Sequence, residues 1–444
     1  MVRRLFSSQL RTNMTSGVAM TVINMTMMVV AYPLYLHFLG YDKYGVWLVL
    51  ATVLTFAQMG NLGMEPAVTK LVAEDHGRGD INGVEHYATT ALALLCVSGI
   101  VALVLILTFR SQIVALFKLN DENAGMVLWL LPYIGVLSIY VFIVQVFNAT
   151  LSGLGRMDLS NYIQSTGRIL AVIVAAVLLY TGRGIESLRI SSIVSYVLIH
   201  IASIICIRRI SQIRFLRLSS FDIQRCKRLL HFGGTVLGSS ILGMLVSPFN
   251  KLILARYAGV STVPIYEIAY NGSMQIRALG EAGFRALMPE ISRIGASMAD
   301  EAKTRIAAIN KKAVKGVLIG SIPLFGGLFI FADPLLRLWL GNGFVAPLPW
   351  AFRIMLIAGF ASLLGVPAFY MLMGMGEVRI ILEANIVQSM TNTIMLVAIT
   401  FFCSKVEVNM VCICCLSGMS MGALYLILNQ HVALRKFDVH NGNS

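Results

Sequence analysis

Residues 87–109, YATTALALLCVSGIVALVLILTF, run for 23 residues without a charge. As a helix rising 1.5 Å per residue the stretch is about 34 Å long, enough to cross the roughly 30 Å of hydrocarbon in a bilayer. The run is continuous rather than alternating, which predicts a helix that satisfies its own backbone polar groups, not a barrel strand. Comparable runs recur along the chain. Spans are expected near 14–39, 45–69, 87–109, 125–152, 161–181, 188–207, 233–255, 264–289, 313–335, 348–372, 379–402 and 409–430. The composition agrees: 57% of the 444 residues are hydrophobic and 13% charged, with a mean hydropathy of +0.78. Soluble domains carry about 25% charged residues. The expected fold is an all-α integral membrane protein of twelve transmembrane helices.

Twelve spans put both termini on one side, and the basic residues decide which. With Arg189, Lys315 and Arg379 at span ends counted in the adjoining loops, the tails and loops on the terminal side hold 22 Lys and Arg, the opposite loops hold eight, and five lie deeper within spans, accounting for all 35. Both termini are therefore expected in the cytoplasm. Most of this charge sits in two stretches, 208–228 and 293–315, whose simplest role is to hold the bundle against an anionic inner leaflet. The net charge of +14 then reports topology and implies no nucleic acid. No cleavable signal follows the basic start, and the loops on the far side are short, which disfavours an enzyme with an external domain.

The two halves repeat. Gly40 and the Gly45-Val46-Trp47 that follows align with Gly259 and Pro264-Ile265-Tyr266, an offset of 219. Phe117–Asn120 aligns with Trp339–Asn342, and Leu151-Ser-Gly153-Leu-Gly155 with Leu372-Met-Gly374-Met-Gly376. Three matches in one register imply duplication of a six-span unit. The expected organisation is an N-lobe at 1–207, a basic cytoplasmic linker at 208–232 and a C-lobe at 233–444. An even span number keeps the halves parallel, so a pseudo-two-fold axis along the membrane normal should relate them.

Charge inside a span costs roughly 2.5–3.5 kcal/mol and marks a wet cavity or a charged ligand. Arg168, Lys251, Arg277, Arg285 and Arg353 are the five cases. Their sign predicts an anionic cargo. In the eighth span Glu267, Asn271, Met274, Arg277, Glu281 and Arg285 share one helical face within about 120°. Arg277, Glu281 and Arg285 at i, i+4 and i+8 form either a closed salt-bridge ladder or a ladder with positive charge left for a ligand. Arg168, with Gln164 one turn before it, lies about 10 Å from the cytoplasmic end of its span, long for snorkelling. Arg353 is nearer the outer end, where snorkelling suffices. Lys251 shares a face with Ser240 and Ser247 and stays open between the two readings. Asn385, Gln388, Ser389 and Asn392 stripe span eleven, suited either to interhelical hydrogen bonds or to sugar hydroxyls. Substrate contacts are thus expected from Arg168, Lys251, Arg277, Arg285, Arg353, Gln164 and Asn271. Glu267, Glu281 and Glu65 are the candidates for coupling to an ion.

No phosphate-binding loop of the G-x-x-x-x-G-K-[ST] type and no H-E-x-x-H spacing occurs, and no cofactor is implied. Cys412-Ile-Cys414-Cys415 has no His or acidic neighbour in sequence and is expected to pack as small hydrophobes.

Tyr35-Leu-His-Phe-Leu39-Gly40-Tyr-Asp-Lys-Tyr44-Gly45-Val-Trp47, Gly60-Asn-Leu-Gly63, Gln145-Val-Phe-Asn148-Ala-Thr-Leu151-Ser-Gly153-Leu-Gly155-Arg156 and Leu338-Trp339-Leu-Gly341 resemble bacterial polysaccharide exporters of the Wzx type. These belong to the multidrug/oligosaccharidyl-lipid/polysaccharide exporter superfamily. The resemblance implies a two-lobed bundle in the inner membrane. It would flip undecaprenyl-diphosphate-linked oligosaccharide, such as an O-antigen, capsule or exopolysaccharide unit, driven by an H⁺ or Na⁺ gradient and associated with the polymerase machinery. The rival within the superfamily is a cation-coupled multidrug exporter, which would want interior acids in the first six spans. Only Glu65 is present there, near the end of the second.

Overall fold

The computed structural model describes residues 8–211, 222–282, 284, 291, 302–375 and 377–441. Among these residues every regular element is a helix. In chain order they are α1 (Ser8–Ala57), α2 (Met64–Gly77), α3 (Ile81–Thr108), α4 (Arg110–Phe117), α5 (Asp121–Gly153), α6 (Met157–Tyr180) and α7 (Glu186–Ser211). There follow α8 (Ile223–Ile253), α9 (Val263–Ala282), α10 (Ala302–Ile330), α11 (Ala332–Leu340), α12 (Pro347–Leu364), α13 (Val366–Gly374), α14 (Val378–Phe402) and α15 (Val408–Asn441). Nine helices among the described residues are long and apolar enough to cross a membrane. Helix α9 falls short of that measure because of its polar and charged residues.

The chain divides into two compact units, Met1–Ser239 and Ser240–Ser444. In the first, α2, α3 and α5 close around Met64, Val68, Leu95, Phe142 and Leu151, all fully buried. In the second, α12 and α15 pack together, with Leu356, Leu363, Val411 and Cys412 buried. Cys414 and Cys415 are buried beside Cys412, as small hydrophobes should be.

The expected repeat has a backbone counterpart in each unit. Gly40 breaks α1 with φ 67° and ψ −179°, and Gly259 ends the turn after α8 with φ 95° and ψ 150°. Both are in the region that side-chain-bearing residues essentially never occupy. A short helix follows in each unit, α4 closing on a left-handed Lys118 and α11 on Gly341 at φ 52° and ψ −120°.

Two expected spans are interrupted. The second is helical only to Ala57, passes through a 3₁₀ turn at Gln58–Asn61 and left-handed Leu62 and Gly63, and resumes as α2. Gly63 lies so close to Gly233 that a Cβ would collide with the Gly233 carbonyl. The tenth divides into α12 and α13 at Gly365, where Pro367 withholds a backbone donor.

Part of the basic stretch 208–228 does more than set topology. Asp222 caps α8, its Oδ1 accepting from the Gln224 backbone N–H at 2.8 Å. Arg225 then reaches Asp75 at 3.0 Å and Asp80 at 4.0 Å, donates to the Gly83 carbonyl and stacks on Tyr87. This clamp fixes the start of α8 to the α2–α3 turn.

Neither Gly40 nor Gly259 has an atom within 4 Å of an added Cβ, so a substitution there meets backbone strain alone. Gly40→Ala and Gly259→Ala are each expected to cost about 1–3 kcal/mol. Gly77→Ala, equally uncrowded and at ordinary φ, should stay within about 0.5 kcal/mol. Thermal unfolding of the detergent-solubilised chain checks the contrast.

Candidate functional site

The turn at 254–262 folds α9 back beside α8, so Asn250 and Lys251 meet Tyr266 and Glu267 at matching depth. Lys251 Nζ lies 2.6 Å from Glu267 Oε2, each side chain only 13% exposed. The other carboxylate oxygen accepts from Asn271 Nδ2 at 2.9 Å. One position earlier the same register buries a neutral network. Asn250 Nδ2 donates to the Tyr266 hydroxyl at 2.9 Å, and Asn392 Nδ2 donates to Asn250 Oδ1 at 3.0 Å. Asn250, Tyr266 and Asn392 are completely buried, so these bonds replace hydration that each group has lost.

Further along α9, Arg277 Nη2 pairs with Glu281 Oε2 at 3.1 Å. The Tyr370 hydroxyl donates to Glu281 Oε1 at 2.9 Å. Arg277 Nε is buried without a hydrogen-bond partner. Arg277 and Glu281 line a pocket of about 140 Å³, together with Ser362, Phe369, Asn385 and Gln388. Arg285 lies outside the described residues. The stripe expected on α9 is therefore present, but its one described cation, Arg277, is matched by Glu281, and Glu267 is matched by Lys251 of α8. The positive excess expected there rested on Arg285.

Arg353 takes a separate course on α12. Its Nε donates to the Phe329 carbonyl at 3.0 Å, and its guanidinium sits 5.1 Å from the Trp350 ring centre. Trp350 is exposed, so this resembles an aromatic anchor at a membrane surface. Among the described residues it makes no hydrogen bond or ion pair with the α9 stripe.

Arg168 stands apart from all of these. It is the twelfth of the 24 residues of α6, about 16 Å from one end and 18 Å from the other, beyond the reach of snorkelling. It is nevertheless exposed, and among the described residues no carboxylate pairs with it. At 100° per residue Asn161 and Gln164 fall within about 40° of Arg168. The exposed apolar residues Tyr162, Ile173 and Val177 fall about 120–180° away. Helix α6 thus exposes two faces, one apolar and one carrying a lone cation. Tyr35 on α1 and Tyr196 on α7 lie within electrostatic range of that cation. Asn161 donates to Ser16 on α1 at 3.0 Å and Gln164 donates to Ser160, which fixes the polar side of α6 against its neighbour.

Glu65 lies in the first turn of α2, just after the break at 58–63, exposed and without an ion pair among the described residues. The helix dipole favours a carboxylate there. Sequence reasoning missed the Lys251–Glu267 and Tyr370–Glu281 contacts. The first had a usable signal: both residues sit about one turn inside the ends of spans joined by a short loop. Tyr370 had none, being 89 residues from its acceptor.

Removing one member of the Lys251–Glu267 pair strands the other in a poorly hydrated site. Lys251→Met is expected to cost about 2–4 kcal/mol, whereas Lys251→Met combined with Glu267→Leu should fall within about 1 kcal/mol of the original. A double-mutant cycle on thermal unfolding measures this coupling.

Residues 36–348 match the family described as "Polysaccharide biosynthesis protein". A curated relative from Shigella flexneri, named "Putative O-antigen transporter", is 19% identical over 346 residues, covering 77% of this chain and 79% of its own length. Among solved structures, an inward-facing multidrug-resistance MATE transporter of the MOP superfamily superposes with a TM-score of 0.76 at 15% identity, covering 94% of this chain and 95% of the other. A MOP-superfamily transporter from Pyrococcus furiosus, described as having a binding pocket of reverse polarity, gives 0.68 at 15% identity, with 96% of each chain covered. At such identities the structural likeness establishes the fold alone: an all-helical bundle of the kind seen in those MOP-superfamily structures.

Proposed function

This chain belongs to the polysaccharide biosynthesis protein family, and from that premise we propose that it is a Wzx-type flippase of the bacterial inner membrane. It carries undecaprenyl-diphosphate-linked oligosaccharide from the cytoplasmic to the periplasmic leaflet by alternating access. The observation that carries this reading is the exposed, unpaired Arg168 in the middle of α6, opposite the apolar face of the same helix. A cation held there is tolerable only on a wet face. Such a face suits a diphosphate, whose transfer into hydrocarbon would cost of order 20 kcal/mol per charge. The arginine fork replaces part of the lost hydration with charge-assisted hydrogen bonds. Gln164, on the same face, supplies a neutral donor beside it.

Lys251 and Arg277 act differently in this scheme. Each is held by a carboxylate, so they keep α8, α9 and α13 in register while offering a ligand little net charge. Arg353 anchors α12 at the outer interface. Glu65 is the candidate for taking up H⁺ or Na⁺, because Glu267 and Glu281 are already neutralised by their partners. A drug–cation exporter would need an acidic wet face in the first unit, the opposite sign to that of Arg168.

Arg168→Ala is expected to abolish surface polysaccharide in cells that depend on this chain, with protein level unchanged by immunoblot. Arg168→Lys should retain part of it, and Arg353→Ala nearly all. Normal polymer with Arg168→Ala would overturn the assignment. The orientation is tested by fusions: alkaline phosphatase inserted at Gly182 should be active, and the same enzyme fused after Ser444 inactive.

A further inference from the structure

The pocket beside Arg277 has a chemistry that the diphosphate does not explain. Its cation is already matched by Glu281 at 3.1 Å, and the same carboxylate would repel a phosphate oxygen. What remains unsatisfied there is neutral hydrogen-bonding capacity. The buried Arg277 Nε has no partner. Among the described residues the side-chain amides of Asn385 and Gln388, three residues apart on α14, make no hydrogen bond, and both line the pocket with Arg277. Asn and Gln each bring two donors and an acceptor, and Glu281 keeps further acceptor capacity. Phe369 supplies an apolar wall, and the volume of about 140 Å³ equals that of four or five waters.

A buried donor and two half-buried amides gathered at one cavity call for a partner with many hydroxyls and no charge. We propose that this pocket is a sugar subsite, which takes one neutral pyranose of the lipid-linked oligosaccharide. Arg277, Asn385 and Gln388 hydrogen-bond its hydroxyls, and Phe369 lies against its apolar side. The inference rests on the flippase reading and gives it a source of selectivity, because a site built around hydroxyls rejects a ligand that lacks them. The Arg277–Glu281–Tyr370 chain holds the guanidinium in place, so the pair orients a donor instead of supplying net charge.

The test is native mass spectrometry of the full chain, titrated with bare undecaprenyl diphosphate and with the same lipid bearing glucose, galactose, N-acetylglucosamine or N-acetylgalactosamine. At least one sugar-bearing lipid is expected to bind about tenfold more tightly than the bare lipid, the ratio that one or two buried hydrogen bonds support. Asn385→Leu and Gln388→Leu should each bring that ratio toward one while affinity for the bare lipid holds. Arg168→Ala should instead weaken bare and sugar-bearing lipids alike. Equal binding of bare and sugar-bearing lipids, or a preference that survives both leucine variants, overturns the subsite and leaves the flippase reading standing. If none of these lipids binds better than phosphatidylglycerol, both readings fall.

Discussion

A bare charge in hydrocarbon is too costly to keep, and that constraint organises this molecule. Each intramembrane cation must find a carboxylate, an interface or water. Lys251 and Arg277 find carboxylates 2.6 and 3.1 Å away. Arg353 finds a backbone carbonyl and an exposed tryptophan. Among the described residues Arg168 has no carboxylate partner, sits midway along its helix and is exposed, which leaves water. The first two cases are architecture, and the last is the one that the proposed flippase reading assigns to the ligand.

Pairing also explains how polar helices persist in the second unit. Helix α9, packed against α8, carries too many polar groups to be held by hydrophobicity alone. The two are tied by a zipper in which Asn250 meets Tyr266 and Lys251 meets Glu267, one residue apart on both sides. Asn392 then binds α14 to the same network. Interhelical hydrogen bonds of this kind contribute only about 0.6 kcal/mol each, so their main effect is to fix register and exclude alternatives.

Much of the fold was legible because hydrophobicity is a local signal. Residues 87–109 read as one helix from their composition alone, and α3 spans them almost entirely. The repeat was legible through Gly40 and Gly259, since only glycine tolerates their backbone angles. The break at 58–63 was not, because it depends on a left-handed Leu62 and on the approach of Gly233, 170 residues away. The polar stripe on α9 followed from a 3.6-residue period, yet its charge balance did not, because Lys251 cancels Glu267 from another helix. The Arg225 clamp joins residues 150 apart and left no local trace; its arginine looked like one more basic residue in a topogenic loop.

The account stands or falls on water reaching the Arg168 side of α6. In a chain whose native cysteines are replaced, Arg168→Cys and Ile173→Cys place thiols on the two exposed faces of the same helix. Labelling with a charged, water-soluble maleimide in native membranes should modify position 168 readily and position 173 hardly at all. A thiol at 168 as unreactive as one at 173 would mean that this face lies against lipid, contradicting the account.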